Sequence, residues 1–299
     1  MRRRLVPGVL VALTVAWASA SAFQRMRPAD VAGLPSKPAD AREAYGSDAE
    51  QFGELRLPAG PGPHPVAVVI HGGCWISTFA TLQSTAAMAD SLRDAGLATW
   101  NVEYRRADQP GGGWPGTFAD VSAAVDHLRV LATKHPLDLE RVVFTGHSAG
   151  AHLALWAAAR RNLPSDSGLR RPLPVSPRAV VAIGGPGDIT DFATYDERIC
   201  GSNVIDRLMG ATAAQAPDRY RQASPVELLP LGVRQVLAVG DSDGVMPERA
   251  RNAYGAAARA AGDDVDVVVV PDAGHFEVIA PTTPAWQVVR NLLLEAVER

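Results

Sequence analysis

Apolar and polar positions alternate along the chain in two distinct rhythms. Val66-Ala67-Val68-Val69-Ile70 is an unbroken apolar run, and short, mainly apolar runs recur at 97–102, 141–145, 179–184, 235–239 and 265–270. Runs of this length, rich in β-branched residues and bounded by turn residues, suit strands buried on both faces of a parallel sheet. Between them the period lengthens. Residues 82–93 read as a helix closed by Gly96, 121–134 as a helix capped by Asp120, and 151–159 as a helix. Pro284 opens a last helix on which Trp286, Val289, Leu292, Leu293 and Val297 share a face. Residues 54–58 add an opening strand. This order predicts one α/β domain over 51–299, a mostly parallel sheet covered by helices on both faces.

Two stretches break the rhythm. Residues 23–50 are rich in Ala, Pro, Asp and Ser without a sustained period and read as a linker or a loosely packed arm, with no function expected there. Residues 185–234 are too long for a simple connection and carry scattered apolar residues. They are expected to form a small cap insertion of short helices over the active site.

The 299-residue chain is 47% hydrophobic with a net charge of −3, enough apolar material for a doubly covered sheet and no electrostatic footprint for nucleic acid. Arg2-Arg3-Arg4 precedes the apolar stretch 5–18 and then small residues to position 22. That is the layout of a secretory signal peptide, and the apolar stretch falls short of the ~20 residues that span a bilayer. Residues 1–22 are expected to be cleaved, giving an exported periplasmic or secreted protein without a stable membrane span. Cys74 and Cys200 could pair in an oxidising compartment. Nothing in the sequence brings them within bonding distance, so two independent buried thiols are the preferred reading.

The chemistry concentrates at strand ends. Gly146-His147-Ser148-Ala149-Gly150 lies between a strand and a helix, the required context of a G-x-S-x-G nucleophile elbow, and exposes the Ser148 hydroxyl above the sheet. A serine needs a base, and His275, on the loop after the 265–270 strand, is the best placed of seven histidines. An acid should lie between them in sequence; Asp243, after the 235–239 strand, is preferred over Asp241, whose place directly after Gly240 suits a turn cap. The 66–70 strand runs into His71-Gly72-Gly73-Cys74-Trp75, where the Gly73 N–H is the expected loop donor for an oxyanion and Gly72 and Cys74 are alternatives. Ala149 supplies the second N–H. His71 is expected to brace this loop. Trp75 and Phe276 adjoin catalytic elements and are candidate pocket residues. Gly111-Gly112-Gly113-Trp114-Pro115-Gly116 formally matches a dinucleotide fingerprint but neither leaves a strand nor tolerates its proline, and reads as a flexible surface loop. No metal-binding spacing occurs.

Together with 101–105 (Asn-Val-Glu-Tyr-Arg) and Ala223-Ser224-Pro225, these motifs resemble the α/β-hydrolase group of kynurenine formamidase-like and feruloyl-esterase-like (BD-FAE) carboxylesterases, over roughly 50–299. The resemblance implies the α/β-hydrolase fold and a triad of Ser148, Asp243 and His275. It also implies a small-molecule ester substrate and no metal or organic cofactor. Cys74 stands where lipase relatives usually carry a third glycine, which favours the H-G-G-x-W subgroup. The expected activity is carboxylic-ester hydrolysis; an arylformamidase or amidase, and a non-catalytic hydrolase-fold binding protein, are the alternatives.

Overall fold

A computed structural model describes residues 25–172 and 175–298. The expected signal peptide, residues 1–22, lies outside the described residues. The elements in chain order are α1 (Pro28–Ala32), β1 (Ala41–Ala44), β2 (Phe52–Arg56), β3 (His64–Ile70), α2 (Ala86–Asp94), β4 (Ala98–Val102), α3 (Gly116–Asp126), α4 (Leu128–Leu131), β5 (Leu137–His147) and α5 (Ala149–Ala159). They continue with β6 (Ala179–Ile183), α6 (Ile189–Phe192), α7 (Asp196–Cys200), α8 (Val204–Met209), α9 (Pro217–Ala223), β7 (Arg234–Gly240), α10 (Glu248–Ala260), β8 (Val265–Val270) and α11 (Pro284–Glu298). The eight strands form one sheet in the order β1-β2-β4-β3-β5-β6-β7-β8. β1 and β2 are antiparallel, and all pairs from β4 to β8 are parallel. This is the α/β-hydrolase arrangement.

Successive residues of a strand point to opposite faces, so a run apolar at every position serves two cores at once. Val66, Val68 and Ile70 of β3 join one core with Trp100, Phe118, Phe144 and Trp156. Ala67 and Val69 join the other, where Met88 and Leu92 of α2 and Trp286, Val289 and Leu293 of α11 cover the sheet. α5 is buried along its entire length. It is apolar all round because the sheet lies on one side and the 185–234 insertion on the other: His152 Nε2–H donates to the Ala223 carbonyl and Trp156 Nε1–H to that of Gln222, both at 2.8 Å.

Four local expectations need correction. Asp120 does not cap a helix at 121. It sits inside α3, 1% exposed, where Arg105 reaches it through Nη2 at 2.7 Å and Nε at 2.8 Å and Gln51 Nε2–H donates to it at 2.7 Å. A bidentate ion pair with the segment that follows β4 has overridden the local capping preference. The 23–50 segment is not loose from residue 25 onward: α1 buries Val31, and β1 pairs with β2 from Ala41↔Leu55 to Ala44↔Phe52. β1 is an edge strand, and its sequence, Ala-Arg-Glu-Ala, gives no apolar alternation to detect. The 111–116 turn is also tied down, since Trp114 N–H donates to the Leu208 carbonyl at 2.7 Å and its ring packs on Phe118. Finally, Cys74 and Cys200 form a disulfide, with Cα atoms 6.1 Å apart across 126 residues of sequence.

The Arg105–Asp120 pair generates a test. Asp120→Asn leaves the guanidinium without a charged partner and should cost roughly 2–4 kcal/mol, read as a lower midpoint in urea denaturation with unchanged slope. An unchanged midpoint would mean that the pair contributes nothing to the fold.

Candidate active site

The end of β5 enters α5 through Ser148, whose φ of 56° and ψ of −119° lie outside the ordinary regions for a side-chain-bearing residue. Such a backbone costs ~1–3 kcal/mol and persists only where its surroundings hold it. The Ser148 N–H donates to the Ile183 carbonyl of β6 at 2.8 Å, and its own carbonyl accepts the Ala151 N–H at 3.0 Å. The hydroxyl-bearing side chain is left at the rim of a cavity of about 530 Å³. His275, Phe276, Gly72, Gly73 and Cys74 line the same cavity.

His275 occupies the loop after β8, and its Nδ1–H donates to Asp243 Oδ2 at 2.9 Å. The second Asp243 oxygen, Oδ1, accepts the Val245 and Met246 N–H groups at 2.7 and 3.3 Å. Burial pushes the Asp243 carboxyl up, but the hydrogen bond and charge of His275 with the Val245 N–H outweigh it and hold the group below the usual carboxylate range. Asp241 is exposed and turned away: it accepts the Asp272 and Ala273 N–H groups at 2.9 and 3.2 Å and bridges the β7 and β8 loops. The acid beside the histidine is thus Asp243.

This pairing depends on Gly184, at the end of β6. Its φ is +59°, and a Cβ there would lie 2.8 Å from Asp243 Oδ2 and 3.1 Å from His275 Nδ1. His147 packs on the opposite side, its ring centroid 4.3 Å from that of His275 and its Nε2–H donating to the His275 carbonyl at 2.8 Å. Desolvation, with the neighbouring His275, pushes the His147 pKa down to about 3, so the ring is a neutral support.

The glycine loop is braced from behind. His71 is fully buried; its Nδ1 lies 2.8 Å from the Gly72 carbonyl and its Nε2 2.6 Å from Glu103 Oε1. Glu103 also accepts the N–H groups of Tyr104 and Leu82 at 3.0 Å and the guanidinium of Arg106, which reaches on to Glu50 at 2.7 Å. Tyr104 stacks on the ring at 4.4 Å and its hydroxyl donates to the His71 carbonyl at 2.9 Å. The loop that follows presents Gly73 with a φ of +102° to the cavity. Ala149, as the first residue of α5, has an N–H without an intrahelical acceptor.

Trp75 does not line the cavity and is corrected here. The positive φ values of Cys74 and Trp75 turn the chain inward, and the indole, 1% exposed, packs edge-on against His152 and Phe192. Cys74 does line it, tied by its disulfide to α7, whose Ile199 also lines it. α1 contributes Pro28, Val31 and Ala32. The sequence reading missed α1, Gly184 and Glu103, and set the disulfide below two free thiols. Only Glu103 carried a signal, as part of the 101–105 motif. Among the described residues no group of three or more His, Cys, Asp or Glu is placed to hold a metal ion, and no helix is long and apolar enough to cross a membrane.

The BD-FAE family model matches residues 55–252. Two Mycobacterium tuberculosis proteins are similar. Esterase LipC is 28% identical over 274 residues, 86% of this chain, and esterase LipQ 25% identical over 220 residues, 73% of it. The chain spans 65% and 51% of the lengths of these relatives. Among solved structures, a truncated carbohydrate esterase from gut microbiota superimposes with a TM-score of 0.73 at 21% identity, covering 88% of this chain and 99% of its own. Esterase B from Lactobacillus Rhamnosis superimposes at 0.72 and 18% identity, covering 88% and 87%. At these identities the structural likeness establishes the fold.

The buried histidines predict an acid limit. In the unfolded chain His147 takes a proton near pH 6.5, whereas the folded ring refuses it until about 3. His152, buried against α9, is likewise pushed down, to about 4. Both folded values are depressed, so their contribution is intact above about pH 6.5 and is lost progressively as the pH falls toward 3–4. Melting temperature should drop between pH 7 and pH 4.5, and His152→Phe should flatten that slope. A slope unaffected by the substitution would exclude His152 as a source of it.

Proposed function

The chain belongs to the BD-FAE family, and from that premise we propose that it is an exported serine hydrolase of neutral carboxylic esters. The observation carrying this reading is that Ser148 and His275, the latter hydrogen-bonded to buried Asp243, line one cavity. In the proposed reaction Ser148 Oγ attacks the ester carbonyl while His275 Nε2 takes the hydroxyl proton. Asp243 holds the imidazole with Nδ1 protonated and balances the imidazolium. The developing oxyanion is received by the Gly73 and Ala149 N–H groups, Gly72 and Cys74 being the neighbouring candidates. His275 returns the proton to the departing alkoxide, and water, activated by the same histidine, releases the acid and restores Ser148.

The lining separates esters from the arylformamidase alternative. Among the described residues it contains no Asp, Glu, Lys or Arg side chain. N-formylkynurenine carries an ammonium and a carboxylate, and burying both without partners costs several kcal/mol. A neutral ester meets no such penalty. Export is supported by the Arg2-Arg3-Arg4 start and apolar 5–18 stretch, and by a disulfide, which persists in oxidising compartments.

Ser148→Ala should lower ester turnover about 10⁴-fold or more and abolish fluorophosphonate labelling. Asp243→Asn should lose roughly 10³–10⁴ in kcat by favouring the wrong tautomer, while Asp241→Asn acts on loop stability. A folded Ser148→Ala protein with near-normal turnover would refute the mechanism. The same preparations, assayed on N-formylkynurenine beside p-nitrophenyl esters, should show ester cleavage dominating.

For export, the intact mass of protein recovered from the periplasm or medium should correspond to a chain beginning at Ser21 or Phe23, with both cysteines oxidised. A cytoplasmic product retaining Arg2-Arg3-Arg4 would count against it.

A further inference from the structure

The arm before the sheet is fastened to the two loops that carry the histidine and the acid. Glu277, 1% exposed and two residues beyond His275, accepts the Gly274 N–H on Oε2 at 2.9 Å and the Met26 N–H on Oε1 at 2.6 Å. One buried carboxylate therefore ties the His275 loop and the arm together. Arg25 Nη2–H donates to the hydroxyl of Ser242, the neighbour of Asp243, at 2.6 Å. Between these anchors and the Lys37 N–H, which donates to Asp90 Oδ2 of α2 at 3.1 Å, lies α1.

Positions three and four apart share a helix face. In α1 these are Pro28, Val31 and Ala32, and all three line the cavity with Ser148. Phe276 and Ile279, on the loop bound to the arm, line it as well. These five apolar side chains come from the arm and the histidine loop.

Resting on the esterase reading above, we propose that α1 forms the wall of the subsite for the alcohol half of the ester, and that this alcohol is uncharged and apolar. The assignment follows from proton transfer. When the tetrahedral intermediate collapses, the C–O bond to the alcohol breaks and His275 hands its proton to that oxygen, so the leaving group departs on the His275 side of Ser148. The arm is bound to the His275 loop and therefore borders that side. Among the described residues the lining offers the alcohol no ionic partner and several apolar ones. The size of the arm residues then sets how large an alcohol fits.

Ala32 is exposed at the cavity, so a larger side chain there occupies the subsite without opening the core. Ala32→Trp is compared with the parent and with Ala29→Trp, an exposed substitution on α1 outside the lining. Two ester series are used: ethyl to octyl acetates, which vary the alcohol, and p-nitrophenyl acetate to octanoate, which vary the acyl group. The Ala32→Trp protein should lose about tenfold or more of kcat/KM on octyl relative to ethyl acetate, with an even effect across the acyl series, and Ala29→Trp should match the parent. A loss graded along the acyl series instead, no graded loss, or the same loss in Ala29→Trp overturns the assignment while leaving the esterase reading intact. A parent protein that cleaves none of these esters and is not labelled at Ser148 by a fluorophosphonate overturns both.

Discussion

The close approach of backbones where β5 turns into α5 is the constraint on which the site rests. A Cβ on Gly146 would lie 2.2 Å from the Gly150 carbonyl oxygen, and one on Gly150 would lie 2.0 Å from that of Ile70 in β3. No side chain fits at either position. The turn can therefore be tight enough to lift Ser148 clear of the sheet, and the helix can start immediately behind it. The strain of that serine is offset by the fully buried α5 and by strands β3 and β6 on either side, which leave the chain no other path.

The same geometry explains why much of this molecule was legible in its sequence. β3, β5, β6 and β7 are buried on both faces, so their continuous apolar runs mark them without help from tertiary contacts. The elbow was legible because its glycines answer a local steric demand, and the order serine, acid, histidine because each follows a strand. Less legible was whatever depends on partners remote in sequence. Asp120 looks like a helix cap in the sequence but lies inside α3, where it is paired with Arg105. Trp75 adjoins the glycine loop in sequence but is turned into the core by two positive φ angles. The cysteines are 126 residues apart, and only the docking of α7 beside the glycine loop joins them. β1 lacks any apolar alternation, and α1, at five residues, is too short for the shared face of Pro28, Val31 and Ala32 to register as a period. They serve as edge and wall rather than as core.

Charge is distributed with the opposite logic to hydrophobicity. Behind the glycine loop Glu103, Arg106 and Glu50 form a chain of ion pairs, largely out of water, and His71 joins it through a hydrogen-bond contact with Glu103. Isolated, any one of them would carry a desolvation cost of several kcal/mol. Linked, these charges offset one another, and the His71 ring they hold, 2.8 Å from the Gly72 carbonyl, braces the peptide between Gly72 and Gly73. Glu277 does the same for the arm and the histidine loop, spending both oxygens on backbone N–H groups.

Arginine and carboxylate side chains are thus kept one layer behind the cavity wall, and this has a chemical consequence. A donor that must stabilise a transient oxyanion is most effective where no permanent charge competes with it and where the surroundings are of low polarity. The Asp243 carboxylate is the exception closest to the serine, and it is separated from the cavity by the imidazole that it orients. A neutral substrate leaves this arrangement undisturbed until charge develops on its own carbonyl oxygen. A charged substrate would perturb it on entry. The proposed preference for uncharged substrates and the electrostatic requirement of the proposed chemistry therefore rest on the same placement of residues.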